Sequence, residues 1–66
     1  MILSDTIKER RSKLKLSQAD LAEMTRVSLA TVKDIERGKG NPSIQTIEKL
    51  LDILGLEIVY RIRQTV

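Results

Sequence analysis

Apolar residues recur along most of this chain at intervals of three, four and seven, which is the spacing of one face of an α-helix. Near the N-terminus, Ile7 and Leu14 share such a face. They predict a first helix from about Asp5 to about Leu14, which Ser4 or Asp5 can cap.

A second helix is predicted directly after Ser17, a residue type that favours the N-cap position. Asp20 follows three residues later, where its carboxylate can complete a capping box with Ser17. The helix is expected to run to about Met24. Its inward-facing residues are expected to be Leu21, Ala22 and Met24.

The third helix is predicted to begin after Ser28 and to end near Arg37, with Gly38 as its left-handed C-terminal residue. Residues 37–43 then form the clearest loop, because they hold two of the three glycines and the only proline. Ser43 caps a fourth helix that runs to about Leu54 and is stopped by Gly55. Its apolar residues, spaced by three and four, are Ile44, Ile47, Leu50, Leu51 and Leu54.

The segment 56–63 follows a period of two, with one face apolar and the other mostly charged, which is typical of a half-buried strand. A lone strand leaves its backbone donors and acceptors unpaired. We therefore predict that it pairs with the same strand of a second copy; a fifth helix or a frayed tail is the alternative. The predicted dimer interface consists of Leu56, Ile58, Val59, Tyr60 and Ile62.

Residues 17–38 are interpreted as two short helices joined by a tight turn near Arg26. Ala22 is small enough to let the two helices cross closely, and Val27, Val32 and Ile35 anchor the second of them to the core. The opposite face of that helix is then free to enter a DNA groove. This is the layout of a DNA-binding helix-turn-helix.

Composition limits what else this chain can be. Its 66 residues make one small domain with a marginal core, and they include no Cys and no His. Disulfides, thiolate or imidazole zinc sites and catalytic triads that use Cys or His are therefore excluded. No apolar run reaches the roughly 18–20 residues that cross a membrane. We expect a cytoplasmic protein that is not an enzyme and uses no cofactor, no metal and no membrane.

The net charge of +3 is unevenly distributed. Residues 1–40 carry nine Lys and Arg against six Asp and Glu, whereas residues 41–66 carry three of each. All of the excess positive charge thus lies in the part that holds the predicted DNA reader. This distribution mildly favours a polyanionic partner.

The motifs SQADLA, VS, IERGKGNPS and LDILG together resemble the phage Cro/repressor (XRE-type) family over roughly residues 5–55. The resemblance implies a mainly α fold, with a compact four-helix lambda-repressor-like DNA-binding domain in residues 1–55. The family commonly has a fifth helix after this domain; here the period-two pattern replaces it, so residues 56–66 are expected to be a C-terminal β-strand that pairs across a homodimer, and a tail. With that strand the chain is similar to HipB-type antitoxins, which also bind a HipA-like kinase-fold toxin and repress their own operon.

Two positions depart from the family pattern, because Lys15 and Arg26 stand where the family often has glycine. A left-handed backbone at Arg26 would cost about 1–2 kcal/mol. We therefore expect a slightly adjusted turn at that position instead.

By matching positions, the start and outer face of the third helix would read base edges. The residues concerned are Ser28, Leu29, Ala30, Thr31, Lys33 and Asp34. Leu29 and Ala30 suit a thymine methyl group, Lys33 suits guanine or a phosphate, and Asp34 suits a cytosine amino group. The alternatives are that Leu29 packs on another protein and that Asp34 is an ordinary exposed helix residue.

Phosphate contacts are predicted from Gln18, Arg37 and Lys39. Gln18 combines a side-chain amide with the N-terminus of the second helix, and its match in the family clamps a phosphate. Arg11, in contrast, matches an arginine that pairs in the family with a carboxylate at the end of the third helix, here Glu36. The resemblance implies that Arg11 and Glu36 form a structural salt bridge and not a DNA contact.

These observations favour a homodimeric repressor that binds double-stranded DNA at a palindromic operator through residues 28–37. The alternative is a HipB-like antitoxin that neutralises a co-encoded toxin and regulates its own operon. No catalytic constellation is evident in the sequence.

Overall fold

The structure is a computed structural model that describes residues 2–63. It contains four helices in this range: α1 (Ile2–Lys13), α2 (Gln18–Thr25), α3 (Leu29–Glu36) and α4 (Ile44–Leu54). The mainly α fold and the four predicted helices are confirmed, and the bounds of α2, α3 and α4 agree with the prediction to within about one residue.

Serine caps begin three of the helices, as predicted. The Oγ atoms of Ser17, Ser28 and Ser43 each accept a hydrogen bond from the backbone N–H three residues later. At α2 the capping box is complete, because the Asp20 carboxylate also accepts from the Ser17 N–H at 2.9 Å. This hydrogen bond lowers the pKa of Asp20 below its usual value.

All four helices of the described range end in the same way, with a left-handed residue inside a pair of nested hydrogen bonds. At the end of α2, the Val27 N–H donates to the Ala22 carbonyl and the Arg26 N–H donates to the Glu23 carbonyl, which is the Schellman pattern. The left-handed residues are Lys15, Arg26, Gly38 and Gly55.

The expectation of an adjusted turn at Arg26 is therefore wrong. Its backbone lies in the left-handed region at φ 60° and ψ 27°, and Lys15 has a φ of 58°. The two caps without glycine adopt the same conformation as the two glycine caps, because the nested hydrogen bonds require it.

The predicted bounds of α1 are also corrected. The helix begins at Ile2, and Ser4 is buried within its first turns and does not cap it. It ends at Lys13, so Leu14 falls in the turn and its side chain is 41% exposed.

The core lies where α1 and α2 each pack against both α3 and α4. It consists of Ile7, Leu21, Ala22, Val32, Ile35, Leu50, Leu51 and Leu54. Val27 packs against this core from the turn, as predicted. Met24 does not face inward, because it is 52% exposed on the outer side of α2.

Arg10 joins the first helix to the end of the last one. Its Nε atom donates to the Leu54 carbonyl oxygen at 2.7 Å, which satisfies one of the C-terminal carbonyl groups of α4. The chain leaves the helical body next to this contact, at Gly55.

Residues 56–63 form neither a helix nor a strand within this single chain. Leu56 still packs against the core, but Val59, Tyr60 and Ile62 are largely exposed. The predicted strand needs a second strand to pair with, and the rest of residues 2–63 folds into helices and turns. Among the described helices, none has the length and apolar character needed to span a membrane.

Candidate nucleic-acid interface

Helices α2 and α3 are both eight residues long and are joined by residues 26–28. This turn places α3 with Val32, Ile35 and Glu36 buried against the body of the protein. Leu29, Ala30 and Lys33 lie on the opposite, exposed side. The geometry leaves one face of a short helix available to a partner, as the helix-turn-helix prediction requires.

The start of α3 is fixed by hydrogen bonds between Ser28 and Thr31. The Ser28 Oγ atom accepts from the Thr31 N–H at 3.1 Å and donates to the Thr31 hydroxyl at 2.8 Å. Both hydroxyl groups were predicted to read bases. Since both take part in the cap, any DNA contact they make must be compatible with it.

Asp34 and Arg37 are paired with each other. The Arg37 Nη2 atom lies 2.6 Å from Asp34 Oδ1, and both side chains are about half exposed. The residues predicted for a cytosine and a phosphate therefore neutralise each other's charge. Lys33 and Lys39 remain as exposed cations on α3 and just after it.

The predicted salt-bridge residues Arg11 and Glu36 lie together at the base of this site. Arg11 Nε is 2.6 Å from Glu36 Oε2, and Arg11 Nη2 is 2.9 Å from Oε1, so the pair is bidentate. The Glu36 side chain is only 2% exposed. The hydrogen bond to Glu36 raises the pKa of Arg11 above its already high usual value, so the guanidinium stays charged.

The same carboxylate also holds Gln18 at the start of α2. The Gln18 Nε2 atom donates to Glu36 Oε1 at 3.2 Å. The Arg11 Nη1 atom donates in turn to the Leu16 carbonyl oxygen at 2.8 Å, just before α2 begins. A buried ionic network thus joins α1, the start of α2 and the end of α3.

Sequence reasoning missed two of these links. The Asp34–Arg37 pair has the i, i+3 spacing that brings side chains together on a helix, so this signal was present in the sequence. The bond from Gln18 to Glu36 joins residues 18 positions apart and depends on how α2 crosses α3. No local pattern indicates it.

A family model for helix-turn-helix domains matches residues 7–61, which include all of α2, α3 and α4. The chain belongs to the XRE-type helix-turn-helix family. The match confirms the resemblance drawn from the sequence motifs.

Proteins named as transcriptional regulators or repressors are similar to the chain. The immunity repressor protein of Bacillus phage phi105 is 38% identical over 58 residues, which are 88% of this chain and 40% of that protein. An HTH-type transcriptional regulatory protein of Aeropyrum pernix is 41% identical over 88% of this chain and 18% of its own length. The HTH-type transcriptional regulator DdrOP3 of Deinococcus deserti is 31% identical over 88% of this chain and 45% of its own length. The chain therefore spans less than half the length of each of these three relatives.

Proposed function

We propose that this chain is a sequence-specific double-stranded DNA-binding regulator, a repressor, that acts as a homodimer in the cytoplasm. The observation that carries the proposal is the exposed face of α3, which is fixed from behind by the core and by the buried Glu36. The names of the three relatives, all regulators or repressors, support the same role. Residues 1–55 would form the DNA-binding domain and residues 56–66 the dimerisation strand and tail.

The exposed face of α3 would lie in the major groove. Leu29 and Ala30 would contact thymine methyl groups, and Lys33 would donate to a guanine or to a phosphate. Ser28 and Thr31 would reach the DNA at the N-terminal end of the helix. Asp34 would accept a hydrogen bond from a cytosine amino group only if its hydrogen bond from Arg37 breaks.

Phosphate contacts would flank this face on both sides. Gln18 is held by Glu36 at the N-terminus of α2, where first-turn N–H groups have no acceptor within the helix. Lys39, in the loop after α3, would supply a second contact, and Arg37 a third. In a two-fold dimer the two copies of α3 would reach half-sites about one helical turn of DNA apart, which implies a palindromic operator.

The antitoxin alternative has no comparable support. The three relatives are named for transcriptional regulation or repression and not for toxin neutralisation. It stays a prediction from the C-terminal segment alone.

The test is selection of bound duplexes from a random pool, followed by titration of the selected site and a shuffled duplex by fluorescence anisotropy. We expect the selected site to bind at least about a thousandfold more tightly than the shuffled one. Equal binding to the two duplexes would contradict sequence-specific recognition.

Lys33→Ala and Lys49→Ala are the matched variants for this test. Both lysines are exposed, but Lys49 lies on α4, outside the proposed interface. If Lys33 reads a base, Lys33→Ala should weaken binding to the selected site about tenfold or more. If Lys33 binds a phosphate, the change should reduce the slope of log affinity against log salt concentration by about one. Lys49→Ala should change neither the affinity for the selected site nor its salt dependence. Equal effects of the two substitutions would contradict the placement of α3 in the DNA interface.

A further inference from the structure

The apolar face of residues 56–62 is covered by its own chain at only one end. Leu56 packs against the core and Ile58 is 36% exposed, whereas Tyr60 is 83% and Ile62 is 94% exposed. Leu56 and Ile58 also line an open groove together with Leu3 and Leu51. Half of this face thus lies beside an apolar groove, while the other half extends from the body with no cover.

We propose that two copies of this segment pair as antiparallel strands with the two-fold axis at Val59. The inference rests on the homodimer proposed above and specifies its register. Residues directly opposite each other in an antiparallel pair lie on the same face of the sheet. In a symmetric pair, the numbers of two opposed residues therefore differ by an even number. The two-fold axis then lies midway between the two copies of one residue, which face each other directly.

Charge selects among the possible centres. With the axis at Val59, Glu57 lies opposite the partner's Arg61, and the symmetry forms this pair twice. An axis at Ile58 sets Glu57 opposite the partner's Val59 and forms no directly opposed ion pair. An axis at Tyr60 sets Glu57 opposite the partner's Arg63 and so also forms two ion pairs, but it places the two Arg61 side chains diagonal to each other, which the axis at Val59 avoids. Opposite charges that face each other stabilise a strand pair, and like charges destabilise it.

The apolar face supports the same centre. With the axis at Val59, the partner's Ile62 lies opposite Leu56 and the partner's Tyr60 lies opposite Ile58. The most exposed apolar side chains of one chain are thereby brought beside the groove and the half-buried residues of the other. Every residue from 56 to 62 gains an opposite neighbour.

Single cysteines test the register directly, because the chain has no native Cys. Directly opposed Cα atoms lie about 4.5–5.5 Å apart, within disulfide reach, whereas diagonal ones lie about 7–8 Å apart. Under mild oxidation Val59→Cys should form a covalent dimer, and Ile58→Cys or Tyr60→Cys alone should not. An equal mixture of the Ile58→Cys and Tyr60→Cys chains should form the cross-linked heterodimer.

The outcomes separate the register from the dimer and from DNA binding. If Tyr60→Cys or Ile58→Cys forms the bridge in place of Val59→Cys, the dimer stands and the proposed register is wrong. If the unmodified chain sediments as a monomer, the proposed strand pairing is wrong in any register. Sequence-specific DNA binding is tested separately, by the anisotropy titration described above.

A charge exchange gives an independent measurement. Glu57 and Arg61 are both exposed in the single chain, so changing them should leave the helical body intact. Glu57→Arg or Arg61→Glu alone should raise the dimer dissociation constant about tenfold. The double variant should restore it, and failure of this rescue would contradict the Glu57–Arg61 pairing.

Discussion

At the scale of single residues, Arg26 is held in a backbone conformation that residues with a Cβ atom rarely adopt. Its φ of 60° is needed for the two nested hydrogen bonds that end α2. Arg26→Gly should therefore be more stable than Arg26→Ala by about 1 kcal/mol, because only glycine is free of the steric penalty. Urea unfolding followed by far-UV circular dichroism measures the difference.

Alanine is the matched control, since both substitutions remove the same charged side chain and differ in the Cβ atom alone. Equal stability of the two variants would show that the left-handed backbone at this position carries no penalty. The corresponding pair at Lys15, with a φ of 58°, should behave in the same way.

Residue-level prediction from the sequence succeeded where a pattern was local and failed where it was not. Gly38 and Gly55 were recognised as helix ends because glycine is the usual left-handed residue. At Arg26 the family's glycine indicated a left-handed backbone, but the steric cost for arginine led to the opposite prediction, and the path from α2 to α3 imposes the left-handed conformation all the same. Leu14 and Met24 are apolar, but only the path of the backbone around them decides that they are exposed.

At the scale of helices, the Arg11–Glu36 pair joins α1 to α3 in a nearly dry environment. Removing one partner of a buried ion pair leaves the other charge uncompensated, which costs about 3–5 kcal/mol. Arg11→Ala should therefore lower the free energy of unfolding by an amount of this order. Urea unfolding at low temperature measures this free energy. Arg11→Lys is a milder variant, because it keeps the positive charge but loses the bidentate geometry.

Arg37→Ala is the control for this prediction. It also breaks an arginine–carboxylate pair with a 2.6 Å contact, but the Arg37 side chain is 59% exposed against 15% for Arg11. An exposed pair contributes only about 0–1 kcal/mol. If Arg11→Ala weakened DNA binding while stability stayed unchanged, the structural role of Arg11 would be refuted.

The helices themselves were predictable because each carries its own start and stop signals. Ser17, Ser28 and Ser43 mark three starts, and the apolar spacing of α4 marks the buried face that holds Leu50 and Leu54. The start of α1 was misplaced because Ser4 resembles a cap, whereas the chain continues as a helix on its N-terminal side. The way α2 and α3 cross, and hence the contact of Gln18 with Glu36, depends on tertiary packing that no single segment encodes.

At the scale of the whole molecule, the part of the chain that sequence reasoning assigned to a strand finds no pairing partner among residues 2–63. A period of two specifies which face of a segment is apolar, but not which segment will pair with it. A single small core of this size is also marginal on its own. Both arguments support the proposed pairing with a second copy of the chain.

Ile62→Asp tests this conclusion without disturbing the single chain, because Ile62 is 94% exposed there. If folding is coupled to dimerisation, the melting temperature of the unmodified protein should rise by about 5 °C for each tenfold increase in concentration. In the proposed dimer, the carboxylate introduced by this substitution would be buried opposite the partner's Leu56, and an unpaired buried charge is strongly unfavourable. The variant should therefore lose both the concentration dependence and tight operator binding, while it melts like the unmodified protein at high dilution.

Lys49→Ala is the control, because Lys49 is exposed on α4, outside both the C-terminal segment and the proposed DNA interface. It should retain the concentration dependence of the melting temperature and the operator affinity. Calorimetry over a hundredfold range of protein concentration measures the first, and fluorescence anisotropy on the selected duplex measures the second. If Ile62→Asp kept a concentration-dependent melting temperature, the dimer would have to form through another surface, and the half-site spacing of the operator would then follow from that surface and not from the C-terminal segment.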